Sequence, residues 1–79
     1  MKIAAIKSLV SEHNLEVLKQ AEEALLNEQK PFINIEGDDE GEQLTHVMAA
    51  IEIGEHISGG MKANDALRAF TRRVRKSIS

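Results

Sequence analysis

The sequence predicts an all-α fold, a small four-helix bundle around its third helix, with one short extended segment between helices two and three. Three observations support this prediction. Apolar residues recur every three or four positions over most of the chain, as in helices that are buried on one side. Only residues 32–36 show a convincing β pattern. The 79 residues are enough for one small domain, so we expect residues 1–79 to form a single helical domain.

The first part of the chain predicts two short helices. The first covers about residues 2–11. The second follows Asn14, a residue type that caps helix N-termini, and ends near Asn27. Apolar positions are Ile3, Ile6 and Val10 in the first helix and Leu15, Leu18, Ala21, Leu25 and Leu26 in the second. Because these positions share one face of each helix, both helices are predicted to bury that face.

Residues 32–36 follow the only proline, Pro31, and place Ile33 and Ile35 on one face of an extended segment. A strand needs a partner because its backbone N–H and C=O groups must be hydrogen-bonded. Three arrangements are open. The segment can lie on the helices, pair with the N-terminus as a strand, or pair with the same segment of another chain. We expect the first arrangement.

The third helix is predicted over about residues 40–58. Asp39 and Glu42 form a pattern like a capping box at its start, and Gly59 and Gly60 end it. One of its faces carries Leu44, Val47, Met48 and Ile51, and a nearly opposite face carries Ala50, Ile53 and Ile57. A helix that is apolar on two sides is buried on two sides. We favour a central helix of the bundle, and the alternative is that one face forms the seam of a homodimer. Gly54 lies at an edge where a second backbone could approach closely.

The fourth helix is predicted to be capped by Asn64, with Asp65 in its first turn. Its apolar stripe consists of Leu67, Phe70, Val74 and Ile78. The rest of its surface is basic. Arg68, Arg72 and Arg75 cluster on one flank, and Arg73 and Lys76 continue around the outer face. These five cations are the candidate contacts with an acidic partner or with phosphate.

Charge is segregated along the chain. Residues 36–55 carry seven carboxylates and no Lys or Arg, whereas residues 62–76 carry six cations and one carboxylate. The net charge of −3 conceals this division. The acidic patch consists of Asp38, Asp39, Glu40 and Glu42, within an acidic turn at residues 36–42. We predict that the fourth helix returns antiparallel to the third. Arg72 to Lys76 would then lie near the acidic turn of the same chain or of a second copy.

Weak candidates for metal ligands occur in the third helix. Glu42 and His46 are four residues apart and share a face, as do Glu52 and His56, but the two pairs point about 80° apart. The chain has no His-Glu-x-x-His motif, and Ile53 stands where a Glu-x-x-His motif would need its carboxylate. Two ligands from one helical turn do not complete a metal site. We therefore favour surface or edge histidines with local partners, and we predict no cofactor and no catalytic residue.

Two segments carry a family resemblance: residues 37–47, GDDEGEQLTHV, and residues 66–75, ALRAFTRRVR. They resemble a family of small bacterial proteins of about this length, a domain of unknown function. The resemblance implies no activity, ligand or catalytic residue. It implies that the acidic turn and the basic helix are characteristic of the family.

These patterns favour a small, non-catalytic protein-interaction module that associates with itself, since an 8.7 kDa chain without Cys is only marginally stable as a monomer. One alternative is a regulator that binds nucleic acid through the basic helix. The overall acidity and the absence of Trp and Tyr make this alternative less favoured. Another is a metal-assisted enzyme that uses Glu42 and His46. No apolar run approaches the ~20 residues of a membrane span, and the N-terminal apolar run stops at Lys7, so we expect a cytoplasmic protein.

Overall fold

The computed structural model describes the backbone of residues 1–78 and the side chains of residues 1–76. This part of the chain contains four helices and no β-strand. The helices are α1 (Ile3–Glu12), α2 (Leu15–Leu26), α3 (Glu40–Ser58) and α4 (Ala63–Ile78). The predicted all-α fold is confirmed, and the first three helices begin and end within about one residue of the predicted positions.

Helices α1 and α2 form for the reasons that their sequences indicate. The Asn14 side chain accepts a hydrogen bond of 2.9 Å from the backbone N–H of Val17, which confirms Asn14 as the N-cap of α2. The buried residues of α1 are Ala5, Ile6 and Leu9, and those of α2 are Leu18, Ala21 and Leu25. Both apolar faces therefore enter the same core.

The segment between α2 and α3 lies on the helices without forming a strand. Ile35 is buried in the core, and Ile33 packs against it. Phe32 points away and is 66% exposed. The favoured arrangement, in which residues 32–36 lie on the helices, is confirmed. Burial of Ile35 holds the segment there.

Helix α3 packs against each of the other three helices, as expected for the centre of the bundle. Val47 on one face and Ala50 and Ile53 on the other are all buried within the single chain. A methyl group added at Gly54 would lie 2.9 Å from Leu15 Cδ2. The close neighbour of Gly54 is therefore a side chain of α2, and not the second backbone that the sequence suggested.

Helix α4 returns antiparallel to α3. Its early residues Asn64 and Leu67 line a hollow with Ile57, near the end of α3, whereas Val74 lines another hollow with Thr45, near the start of α3. Buried Ala66 and Phe70 attach the helix to the core. The predicted apolar residue Ile78 lies outside the described side chains.

The predicted N-cap of α4 is wrong. The helix begins at Ala63, so Asn64 is its second residue. A backbone hydrogen bond of 2.8 Å from Ala66 N–H to the Lys62 carbonyl forms the first turn two residues earlier than a cap at Asn64 allows.

Candidate functional site

His46 lies at the centre of a cluster that joins α1, α3 and the acidic turn. The side chain is completely buried. Its Nε2 accepts a hydrogen bond of 2.9 Å from the backbone N–H of Lys2, and its Nδ1 lies 2.7 Å from the carbonyl oxygen of Glu36. A backbone N–H can only donate and a carbonyl can only accept, so Nε2 is the acceptor and Nδ1 is the donor in these two hydrogen bonds. The expectation of a surface or edge histidine is wrong at this position, because the buried ring contacts the backbone of Lys2 on one side and of Glu36 on the other.

Glu42 organises the start of α3 in the same cluster. Its Oε1 accepts a hydrogen bond of 2.8 Å from Asp38 N–H, and its Oε2 lies 3.6 Å from the terminal ammonium of Met1. Asp39 caps the helix by accepting a hydrogen bond of 2.7 Å from Glu42 N–H, so the predicted capping pattern is confirmed. The hydrogen bond from Asp38 holds the pKa of Glu42 below its usual value of 4.5, and the nearby positive charges of the terminal ammonium and Lys2 act in the same direction.

The acidic patch is thus divided into two sets of carboxylates. Glu42 and Asp39 bind backbone N–H groups at the start of α3. Asp38 and Glu40 are exposed, and within residues 1–76 neither side chain has an ion-pair partner. Glu36, just before them, lies 3.9 Å from Lys2 Nζ. Asp38 and Glu40 are therefore the carboxylates of the acidic patch that no cation of the described residues neutralises.

The structure brings Glu42 and His46 close to one another, but it gives no support to a metal between them. Both ring nitrogens of His46 are hydrogen-bonded to backbone, so a metal would have to displace one of those bonds. Glu52 is paired with Arg73, and His56 is exposed at the far end of α3. Among the described residues, no group of three or more His, Asp or Glu side chains is placed to hold a metal ion.

The exposed surface that most favours binding is the basic flank of α4. This flank contains a hollow of about 350 Å³, which is lined by Leu67, Arg68, Thr71, Arg72 and Arg75. The Thr71 hydroxyl donates a 2.9 Å hydrogen bond to the Leu67 carbonyl, so it is already used within the helix. Arg68 and Arg72 are exposed, and neither has an ion-pair partner in the part of the chain that the structure describes.

Arg73 differs from its neighbours on α4 because it pairs with α3. Its Nε donates a 2.8 Å hydrogen bond to Glu52 Oε2, and its Nη2 donates a 2.6 Å hydrogen bond to Glu52 Oε1. The guanidinium carbon also lies 5.8 Å from the centre of the Phe70 ring. Arg75 and Lys76 are exposed on the last described turns. The five predicted contact residues therefore do not form one uniform surface.

The Arg73–Glu52 pair also defines how α4 lies along α3. Glu52 is twelve residues after Glu40, or ~18 Å along the helix. Arg72 is next to this pair, and Arg68 lies more than one turn further towards the end of α3. Arg72 forms no ion pair with the acidic turn of the same chain among the described residues, and the prediction that Arg72 to Lys76 lie near an acidic turn stays a prediction. The apolar residues of α4 pack along α3, from Leu67 near Ile57 to Val74 near Thr45, and this packing decides the offset.

None of the described helices combines the length and apolar character that a membrane span requires. Fold and surface together define a small helical protein with opposite charges on separate surfaces. All of residues 1–79 match the model of a family of unknown function, DUF6952, and the chain belongs to that family. The resemblance to a domain of unknown function is confirmed. Comparison with curated proteins gave no match, and comparison with solved structures gave none either.

Proposed function

We propose that the chain is a non-catalytic interaction module that binds an acidic protein surface through the basic flank of α4. The observation that carries the proposal is the pair Arg68 and Arg72. They lie one helical turn apart, exposed, while Arg73 on the same helix is paired with Glu52. A guanidinium binds a carboxylate through two parallel hydrogen bonds, so two such groups can orient an acidic partner.

The hollow between these arginines indicates the chemistry of the partner. Leu67 is half-buried there, and Arg68 and Arg72 stand at its rim. An amphipathic helix with an apolar residue for the hollow and glutamates on its flanks matches this arrangement. Burial of the apolar residue supplies affinity, and the carboxylates supply orientation and specificity.

A nucleic-acid partner is the less favoured alternative. The same arginines could bind phosphates, but the chain has a net charge of −3, and Asp38 and Glu40 add to the repulsion of a polyanion. No aromatic ring of α4 is available for stacking on bases, because Phe70 is buried.

Self-association and a cytoplasmic location stay predictions. The expected homodimer seam along α3 has limited surface for such a contact, since both apolar faces of this helix are covered by other helices. Met48 is the exception at 52% exposure. We therefore place the primary contact surface on α4.

The test uses a fluorescently labelled helical peptide with leucines on one face and glutamates on its flanks. Binding at low salt is measured by anisotropy for wild type and for the double variant Arg68→Glu, Arg72→Glu. We expect the variant to bind more than about tenfold more weakly, because like charges now face each other across the contact. Binding by wild type should also weaken as salt rises, since these charges are exposed.

A matched control reverses two exposed lysines elsewhere, Lys19→Glu and Lys30→Glu, and thus changes the net charge equally. This control should bind the peptide almost as well as wild type. Equal binding by wild type and the Arg68, Arg72 variant, or no binding by wild type, would refute the proposed function. A DNA duplex that binds more tightly than the peptide would favour the nucleic-acid alternative.

A further inference from the structure

Two sets of opposite charges lack ion-pair partners among the described residues. Asp38 and Glu40 stand exposed at the start of α3, and Arg68 and Arg72 stand exposed on the basic flank of α4. Carboxylates and guanidinium groups of this kind would pair if the fold placed them together.

The two sets do not pair within one chain, because no ion pair joins Asp38 or Glu40 to an α4 arginine in the part of the chain that the structure describes. The Arg73–Glu52 hydrogen bonds join α4 to a residue of α3 that lies ~18 Å beyond Glu40. Val74 lines a hollow with Thr45, five residues after Glu40, and Arg68 precedes Val74 by six residues, so Arg68 lies ~17 Å from Glu40 along the axis of α3. An arginine side chain does not span such a distance. The charges of one chain can therefore be paired only by another molecule.

The spacing of the two sets matches. Asp39, between the acidic side chains, has extended backbone angles (φ −145°, ψ 174°), so Asp38 and Glu40 lie about 7 Å apart along the chain. Arg68 and Arg72 are four residues apart on a helix, which separates their Cβ atoms by about 6 Å. Each arginine can thus face one carboxylate of a second molecule at the same time.

The acidic turn is also held in place before any contact is made. Asp38 N–H is hydrogen-bonded to Glu42, Asp39 caps α3, and the Glu36 carbonyl is bonded to His46. A rigid surface loses little conformational entropy when it binds. Neither these hydrogen bonds nor the Arg73–Glu52 pair needs to break for Asp38 and Glu40 to be contacted.

We propose that the partner of the basic flank is a second copy of this chain, whose acidic turn places Asp38 and Glu40 against Arg68 and Arg72. This inference rests on the proposed function, because it names the occupant of the same surface. In a twofold dimer each copy gives its basic flank to the acidic turn of the other, so the contact occurs twice and closes the assembly. Charge complementarity supports this occupant, since the chain supplies both halves at a matching spacing.

Charge exchange tests the inference directly. One variant carries Arg68→Glu and Arg72→Glu, and the other carries Asp38→Lys and Glu40→Lys. Sedimentation equilibrium at low salt should show wild type approaching twice the 8.7 kDa mass of one chain as concentration rises. Each variant alone should dissociate more than about tenfold more readily, because like charges face each other at both contacts. An equimolar mixture should regain the dimer, because both contacts of the mixed pair are then complementary.

Matched controls are Lys19→Glu with Lys30→Glu, and Glu12→Lys with Glu23→Lys, at exposed positions outside both surfaces. These controls should dimerise like wild type, alone and in mixture. Helicity is recorded for each variant. If the lysine variant unfolds, Asp38→Asn with Glu40→Gln replaces it and should weaken the dimer by a smaller factor.

Three results would overturn the inference. They are a wild type that stays monomeric at millimolar concentration, a dimer that neither folded variant weakens, and a mixture that stays monomeric. A monomeric wild type that still binds the acidic peptide through Arg68 and Arg72 would overturn the second copy as partner and leave the proposed function standing. Failure of both dimerisation and peptide binding would overturn both.

Discussion

Replacing His46 by leucine removes a buried side chain that hydrogen-bonds two separate pieces of backbone. Leucine has a similar volume and fills the same space, but it neither accepts from Lys2 N–H nor donates to the Glu36 carbonyl. Both backbone groups stay where they are, and each loses its partner. The substitution thus tests whether this ring joins the start of α1 and the acidic turn to α3.

The magnitude follows from the two groups that are left unpaired. An unsatisfied backbone group costs about 1–3 kcal/mol, and both groups here are partly buried, so His46→Leu should lose about 2–4 kcal/mol of unfolding free energy. A protein of this length has roughly 4–12 kcal/mol in total. For a chain of this size the loss corresponds to a decrease in Tm of roughly 10–25 °C. His46→Asn and His46→Gln each keep an amide near one ring nitrogen, so their losses should be intermediate.

The assay is urea unfolding followed by circular dichroism, since the chain has no Trp or Tyr to report by fluorescence. His56→Leu is the control, because His56 is exposed on the same helix and its replacement should change stability by less than about 0.5 kcal/mol. The reasoning is refuted if His46→Leu is as stable as wild type, or if His56→Leu loses an equal amount.

Two further predictions concern the start of α3. Because the folded-state pKa of Glu42 is depressed, its carboxylate stabilises the fold above the usual value of 4.5, and this contribution is lost as pH falls through the lower folded value. Wild type should therefore exceed Glu42→Gln in Tm at neutral pH by more than near pH 3, and an equal difference at both pH values would contradict the assignment. A Cβ added at Gly37 would lie 2.9 Å from the backbone nitrogen of Gln43, so Gly37→Ala should cost about 1–3 kcal/mol in urea unfolding. Gly59→Ala, where the nearest atom would be at 3.5 Å, is the control and should cost much less than Gly37→Ala.

Local patterns predicted most of the fold because they act within a few residues. The cap at Asn14 and the capping pattern of Asp39 and Glu42 are contacts between near neighbours, and the structure shows each of them. The two apolar faces of α3 likewise identified the central helix. Asn64 is not the cap because the helix begins earlier, with a hydrogen bond from Ala66 N–H to the Lys62 carbonyl. Lysine is not a capping residue, so the sequence did not indicate this start.

Contacts between distant parts of the chain could not be predicted in this way. His46 binds residues ten and 44 positions away, and no periodicity indicates that its two ring nitrogens face backbone groups. The pairing of Arg73 with Glu52 depends on how far α4 slides along α3, which side-chain packing determines. An antiparallel return was predictable, but its offset was not, and the offset decides which charges meet.

The packing of α4 affects the stability of the bundle as well as the recognition of a partner. Helix α3 is held by three neighbours, whereas α4 packs mainly on α3. Buried Ala66 and Phe70 and the exposed pair between Arg73 and Glu52 hold it there, and an exposed ion pair contributes only about 0–1 kcal/mol. Helix α4 is therefore expected to open at a lower free-energy cost than the central helix α3. A partner that contacts Arg68 and Arg72 binds only the docked helix, and at a hundredfold excess over its Kd it adds about 2.7 kcal/mol to the docked state. Recognition at the basic flank would thus stabilise a helix that packs mainly on one neighbour.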